Sequence, residues 1–181
     1  MLEALITSKT RIKILLKFFL NKTNKSYLRS MEQEFGESSN AIRIELNRFE
    51  KAGLLKSYFD GNKKYFQANT EHPLFNDINS IILKMVGIDT IIENIAQRLK
   101  NVDAAYLSGN FAQGIDSKII DIILIGNQID SNLINNYINK AEKIIDRKIR
   151  YITIQKEEMN DYLKNTPTLL IWTNDQSIPK E

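Results

Sequence analysis

Residues 38–69 read SSNAIRIELNRFEKAGLLKSYFDGNKKYFQAN, and the N-terminal fold turns on how this stretch is read. Ser38 or Ser39 supplies a hydroxyl that can cap a helix, and Ile42, Leu46 and Phe49 recur at helical spacing after it. At a helical turn of about 100° per residue these three side chains fall within about 60° of one another, which makes them a buried stripe. The opposite arc collects Asn40, Arg43, Ile44, Asn47, Arg48 and Lys51. Ala52-Gly53-Leu54-Leu55 closes the helix. Leu55 to Phe59 and Lys64 to Ala68 are then two aromatic-rich strands, joined by the hairpin turn Asp60-Gly61-Asn62-Lys63. Lys63 and Lys64 fall at the tip.

Two further helices are expected upstream. Between Leu2 and Leu20, Leu5, Ile12, Leu15, Leu16 and Phe19 recur at helical spacing; Thr7 or Ser8 is expected as an N-cap just before Thr10-Arg11-Ile12, with an end near Asn21. Ile14 to Leu20 is interrupted only by Lys17 and suits a buried helix. Ser26 is expected to cap a second helix, Tyr27 to Phe35, through Leu28, Met31 and Phe35. Gly36 supplies the tight turn that follows.

The polar arc has the side chains of a major-groove reader. Arginine forks onto guanine, asparagine pairs with adenine, and an apolar group such as Ile44 meets a thymine methyl. Ser38 and Ser39 stand at the helix N-terminus, where hydroxyls and free N–H groups favour a phosphate. Lys63 and Lys64 are placed to touch backbone phosphate or the minor groove. Tyr58, Phe59, Tyr65 and Phe66 are expected as core and strand-pair residues rather than base-stacking platforms.

Residues 5–70 resemble the winged helix-turn-helix domains of arsenic-repressor-like bacterial transcriptional regulators. The resemblance rests on the order of recognition helix, Glu50-Lys51-Ala52-Gly53-Leu54-Leu55 and wing. It implies double-stranded DNA as partner, contacted through Ser38, Ser39, Asn40, Arg43, Asn47, Arg48, Lys51, Lys63 and Lys64. The metal-sensing members bind through Cys, His and carboxylate clusters. This chain has no Cys and one His, His72, so no metal site and no cofactor are carried over.

Pro73 suits the first turn of a new helix, Leu74 to Val86, with a stripe of Leu74, Ile78, Ile81, Ile82 and Met85. That stripe could pack on a second domain or pair with its copy in a homodimer. Gly87 marks a break before a further amphipathic helix, Asp89 to Leu99. From Val102 strand and helix alternate: strands at Ala104–Leu107, Ile119–Ile125, Arg150–Ile154 and Thr168–Thr173, helices at Ser131–Lys148 and Glu157–Asn165. Ser177 to Glu181 is expected to be a frayed tail.

The segment LSGNFAQGIDSKIIDIILIG, residues 107–126, resembles the nucleotide-binding signature of minimal nucleotidyltransferases. In that family a Gly-Ser turn positions the phosphates, and two aspartates alternating on a strand share one face and chelate Mg²⁺. Gly109, Phe111, Ala112 and Gly114 match. Asn110 stands where serine is usual, Asp121 matches the second aspartate, and Ile119 occupies the first. Ile119 cannot ligate a hard cation, and Arg150-Tyr151-Ile152 stands where a third acid would be. Asp116 could compensate only from a loop. The segment is therefore read as a degenerate fold with a vestigial nucleotide site at Gly109, Asn110, Gly114 and Asp121. Asp121, in an apolar strand, is expected to bond the N–H groups of the Gly109-Asn110 turn or to face the old cleft.

Composition agrees with a soluble globular chain: 43% of the 181 residues are hydrophobic and 26% charged. No run of about 18 apolar residues could span a bilayer, and no secretory leader is recognisable, so a cytoplasmic protein without membrane contact is expected. Residues 1–70 carry 13 Lys/Arg against 7 Asp/Glu, whereas residues 71–181 carry 12 against 15. A polyanion is thus expected to meet the N-terminal part.

Together these readings predict an α+β chain: a winged helix-turn-helix domain over 1–70, a helical connector over 71–100, and a degenerate nucleotidyltransferase-like α/β domain over 101–176. The implied function is a non-enzymatic, dimeric transcriptional regulator. Its C-terminal domain would serve in sensing a small molecule or nucleotide, in dimerisation or in docking. Two alternatives stay open: a Mg²⁺-dependent nucleotidyltransferase with an attached helix-turn-helix, and a winged helix used as a protein-interaction module.

Overall fold

Helices and two separate sheets, an α+β architecture, divide into two compact units, residues 1–85 and 86–181. The computed structural model describes residues 6–96 and 98–174. The expectations for Leu2–Leu5 and for the tail Ser177–Glu181 lie outside the described residues. Among the described residues, no helix is long and apolar enough to cross a membrane.

In the first unit, α1 (Lys9–Leu15) starts where the Ser8 side chain accepts a bond from the Arg11 N–H at 3.2 Å. It runs on into a wider π-helical turn, Leu16–Leu20, all of whose side chains are buried. Five successive residues cover the whole circumference of a helix, so this end is enclosed by the core on every side. Lys17 is no exception: its Nζ meets the Glu34 carboxylate at 2.7 Å.

Ser26 does not cap α2. It is the middle residue of a short strand, β1 (Lys25–Tyr27), and is buried opposite Phe66. Helix α2 (Leu28–Phe35) starts one residue later than expected, with Tyr27 as an N-cap that makes no side-chain bond. The physical reason is the hairpin of β2 (Leu55–Asp60) and β3 (Lys63–Ala68). The far edge of β3 carries backbone groups that need partners, and β1 supplies them in the order β1-β3-β2.

Gly36, at φ +63°, ends α2 in the left-handed region and turns the chain into α3 (Ser39–Lys51). Ile42, Leu46 and Phe49 are buried as the spacing required. Phe49 and Phe19 approach with ring centroids 6.5 Å apart, and Phe75 closes on Phe19 at 5.7 Å. Phe75 opens α4 (Phe75–Val86), which Asn79 ties to the Phe19 carbonyl at 2.6 Å. The apolar stripe of α4 is split: Ile82 is buried, whereas Leu74 and Ile81 are about half exposed, at 53% and 51%.

In the second unit, α5 (Ile88–Ile91) continues as a π-helical turn, Ile92–Ala96, so the expected helix Asp89–Leu99 is shorter and wider. A four-stranded mixed sheet follows in the order β6-β5-β4-β7. Its strands are β4 (Ala104–Ser108), β5 (Ile119–Ile125), β6 (Lys148–Ile154) and β7 (Thr168–Thr173). The short α6 (Gly109–Ala112) stands between β4 and β5. β5 and β6 are parallel and joined through α7 (Ser131–Ile145), whose N-terminus Asp130 caps by accepting from Asn132 N–H at 2.8 Å. Ile123, Ile125, Ala104, Tyr106 and Ile154 form a core on which Met159 and Leu163 of α8 (Met159–Lys164) pack.

Candidate nucleic-acid interface

The arc expected to face outward on α3 does so. Asn40, Arg43, Ile44, Asn47, Arg48 and Lys51 are all exposed, opposite the buried stripe. Ser38 caps α3 through its side chain, accepting from Ala41 N–H at 3.2 Å, and Ser39 is the first helical residue. Among the described residues, Asn40, Arg43, Asn47 and Lys51 have no hydrogen-bond or ion-pair partner, so their polar groups stay available.

Two of the expected cations are not free. Arg48 lies along the helix with Nη1 2.8 Å from Glu45. Lys64 lies beside the helix rather than at the tip, and its Nζ meets Glu50 at 2.8 Å. Glu50 also accepts a short bond from the Ser57 hydroxyl. Lys64, then Ser57, hold its carboxyl below the usual carboxylate range. These bonds attach the hairpin to the helix, so the two basic elements are held as one surface.

Lys63 is the exposed cation next to the turn, and its Nζ stands 4.6 Å above the Tyr27 ring. Tyr27, Tyr65 and Tyr58 form a ladder across the three strands, with centroids 5.3 Å and 5.7 Å apart. Phe66 is buried as expected. Phe59 is not a core residue: at 74% exposure it has run past the end of the underlying core.

Sequence reasoning missed Glu45. It is buried on α3, and Arg11 holds it from α1 with two hydrogen bonds. That bond, partly offset by burial and assisted by the charges of Arg11 and Arg48, holds the Glu45 carboxyl below its ordinary range. The spacing contained the signal: Glu45 lies three residues after Ile42 and four before Phe49, inside the stripe. A carboxylate there needs a cation.

Between α3 and the hairpin turn lies a groove of about 560 Å³, lined from α3 by Arg43, Leu46 and Asn47 and from the hairpin by Lys63 and Phe66. Arg29 and Leu28 of α2, with Tyr27, Asn62 and Lys64, complete it.

The second candidate site, in the C-terminal unit, is brought together only in part. Gly109 lies against Asp121: a Cβ built there would sit 2.9 Å from Asp121 Oδ2. Asp121 is not buried, with 27% of its side chain exposed, and it does not bond the Gly109-Asn110 turn. Its Oδ1 instead accepts from Arg150 Nε at 2.7 Å, directly across the β5–β6 register. The pairing raises the Arg150 pKa further. Asp116 is engaged elsewhere, with Arg147 Nη1 at 2.8 Å. Asn110 is exposed and Gly114 buried. Among the described residues, no group of three or more His, Cys, Asp or Glu side chains could hold a metal ion.

No family model matches the sequence, and no curated protein matches it. Among solved structures the chain is similar to one described as a "putative nucleotidyltransferase" from Sulfolobus solfataricus. The two are 20% identical, over 54% of this chain and 87% of that one, with a TM-score of 0.37.

Proposed function

We propose that the chain is a DNA-binding transcriptional regulator whose first unit is a winged helix-turn-helix. In this reading α3 enters the major groove, and the β2–β3 turn touches phosphate or the minor groove. The observation that carries it is the two-sidedness of α3. Ile42, Leu46 and Phe49 are buried, while Asn40, Arg43, Asn47 and Lys51 point outward without partners among the described residues.

The second unit is proposed as a nucleotidyltransferase-like domain that has exchanged metal binding for an ion pair. Arg150 stands where a further carboxylate would be needed, and it occupies Asp121. That domain then serves as a sensor, a dimer platform or a docking surface in a homodimeric protein. The carbon side chain of Ile119, on the same strand face as Asp121, supports this reading.

The test is selection of bound fragments from random and genomic DNA with the full chain, run at two ionic strengths. Enrichment of one sequence with two related half-sites, weakening steeply as salt rises, is the expected result. Recovery of no sequence above background at either ionic strength would remove the proposal.

A further inference from the structure

The groove between α3 and the hairpin turn has more apolar surface than a phosphate backbone needs. Its floor is made by Leu28, Leu46 and Phe66, one each from α2, α3 and β3. Its rim carries Arg29, Arg43, Lys63 and Lys64, and no carboxylate lines it, although Lys64 is engaged by Glu50 at 2.8 Å. Arg29 and Arg43 have no partner among the described residues, and Lys63 rests only on the Tyr27 ring. At about 560 Å³ the space falls in the range that holds a small organic molecule. Unpaired cations around an apolar floor are complementary to one class of ligand: a compact apolar body bearing an anionic group.

We propose that this groove binds a small amphipathic organic anion, and that the anion excludes DNA because both use Arg43 and Lys63. Ligand binding stands on the groove alone; exclusion of DNA rests on the function proposed above. The anionic group sits between Arg43 and Lys63, and the apolar body covers Leu28 and Phe66. A regulator built this way needs no relay from another domain, since effector and DNA occupy one surface and their binding is mutually exclusive.

The probe is 1-anilinonaphthalene-8-sulfonate, an aromatic body with one sulfonate, followed by its fluorescence on the full-length native protein. Saturable binding at one site per chain is expected. Arg43→Ala with Lys63→Ala should weaken it at least about tenfold. Leu28→Trp, which fills the floor and leaves every charge, should weaken it similarly, with thermal melts confirming that both variants fold. Uncharged 1-anilinonaphthalene should bind at least about tenfold more weakly than the sulfonate. Affinity within about twofold of the parent in both folded variants would overturn the proposal. Selected DNA should displace the probe from the parent protein. DNA that binds while the probe stays in place would overturn the exclusion. Probe binding that obeys the variants while no DNA binds would support the groove and defeat the DNA reading instead.

Discussion

Arg11 and Glu45 meet through two hydrogen bonds, Nε to Oε2 at 2.9 Å and Nη2 to Oε1 at 3.1 Å, across 34 residues of sequence. The carboxylate is 7% exposed and the guanidinium side chain 38%, so the pair spans the boundary between core and solvent. It links the first helix to the underside of α3 by a planar fork that lysine cannot copy. Through its Oε1 the same carboxylate also restrains Arg48 on the exposed arc. One buried acid therefore sets both the seat of α3 and the direction of one of its outward cations.

Glu45→Gln should lower stability by about 1–3 kcal/mol, because a charged, half-screened pair is lost and the partly exposed Arg11 guanidinium is left with a weaker acceptor at a buried position. Arg11→Lys should cost less, since the charge remains and only the fork is lost. Urea denaturation of both variants would check the order. If Arg11→Lys cost more than Glu45→Gln, charge would not be what the pair supplies.

Acid should act through the same carboxylates. Glu45, held by Arg11, and Glu50, held by Lys64 and then Ser57, both have folded pKa values below their ordinary ones. Their stabilisation is therefore fully present above the unfolded carboxylate pKa, about 4.3, and is lost as pH falls through the lower folded values. The parent should lose stability below about pH 4.3 more steeply than Glu45→Gln. A pH series of thermal melts in which the two curves stay parallel below that point would contradict this.

Much of the first unit was legible because its signals are local. The Ile42-Leu46-Phe49 stripe, the Ser8 and Ser38 caps and the Asp60–Lys63 turn each depend on a few neighbouring residues. Ser26 misleads for the opposite reason. A hydroxyl before an apolar helix looks like a cap, and nothing nearby reveals that β3 has an open edge waiting for it. Glu50 acquires Lys64 only through the tertiary pairing of hairpin and helix, which no local pattern reveals, whereas the Glu45–Arg48 pair, three residues apart, is open to a local reading. In the second unit the strands were legible to within a few residues. The partner of Asp121 was not, since the Asp121–Arg150 register follows from the parallel pairing of β5 with β6.

Arg43 and Lys63 should behave differently toward DNA. Arg43→Ala should cost about 1–3 kcal/mol on the selected site and relax its specificity, as for loss of a bidentate base contact. Lys63→Ala should weaken all sequences alike and reduce the salt slope by about one ion. Fluorescence anisotropy on selected and scrambled duplexes across a salt series separates the two. An Arg43→Ala protein with unchanged affinity and preference would show that the groove-facing orientation of α3 is wrong.

Gly109→Ala tests the close approach to Asp121. At φ +61° a side chain is already disfavoured by about 1–2 kcal/mol, and its Cβ would meet Asp121 Oδ2 at 2.9 Å. Moving Asp121 aside disturbs its exposed bond to Arg150 at 2.7 Å. The substitution should therefore cost about 1–3 kcal/mol in the parent and less in an Asp121→Ala background. Equal costs in a double-mutant cycle would mean that only the backbone, and not the carboxylate, resists the change.

Magnesium and nucleotide should leave the protein unchanged. A Mg²⁺ site needs several oxygen ligands in near-octahedral array, usually with at least one carboxylate free to face the ion. Asp121 faces the Arg150 guanidinium, Asp116 faces Arg147, and Ile119 offers only carbon. Binding a cation here means either breaking the Asp121–Arg150 pair or placing a second positive charge beside the Arg150 guanidinium. Millimolar MgCl₂, with or without ATP, should therefore not raise the melting temperature, and labelled ATP should leave no label on the protein or on added acceptors. Arg150→Ala removes the competing cation but still leaves one carboxylate, so it should not restore either effect. A Mg²⁺-dependent rise in melting temperature in the parent, lost in Asp121→Asn, would instead establish a working metal site and reopen the enzymatic reading.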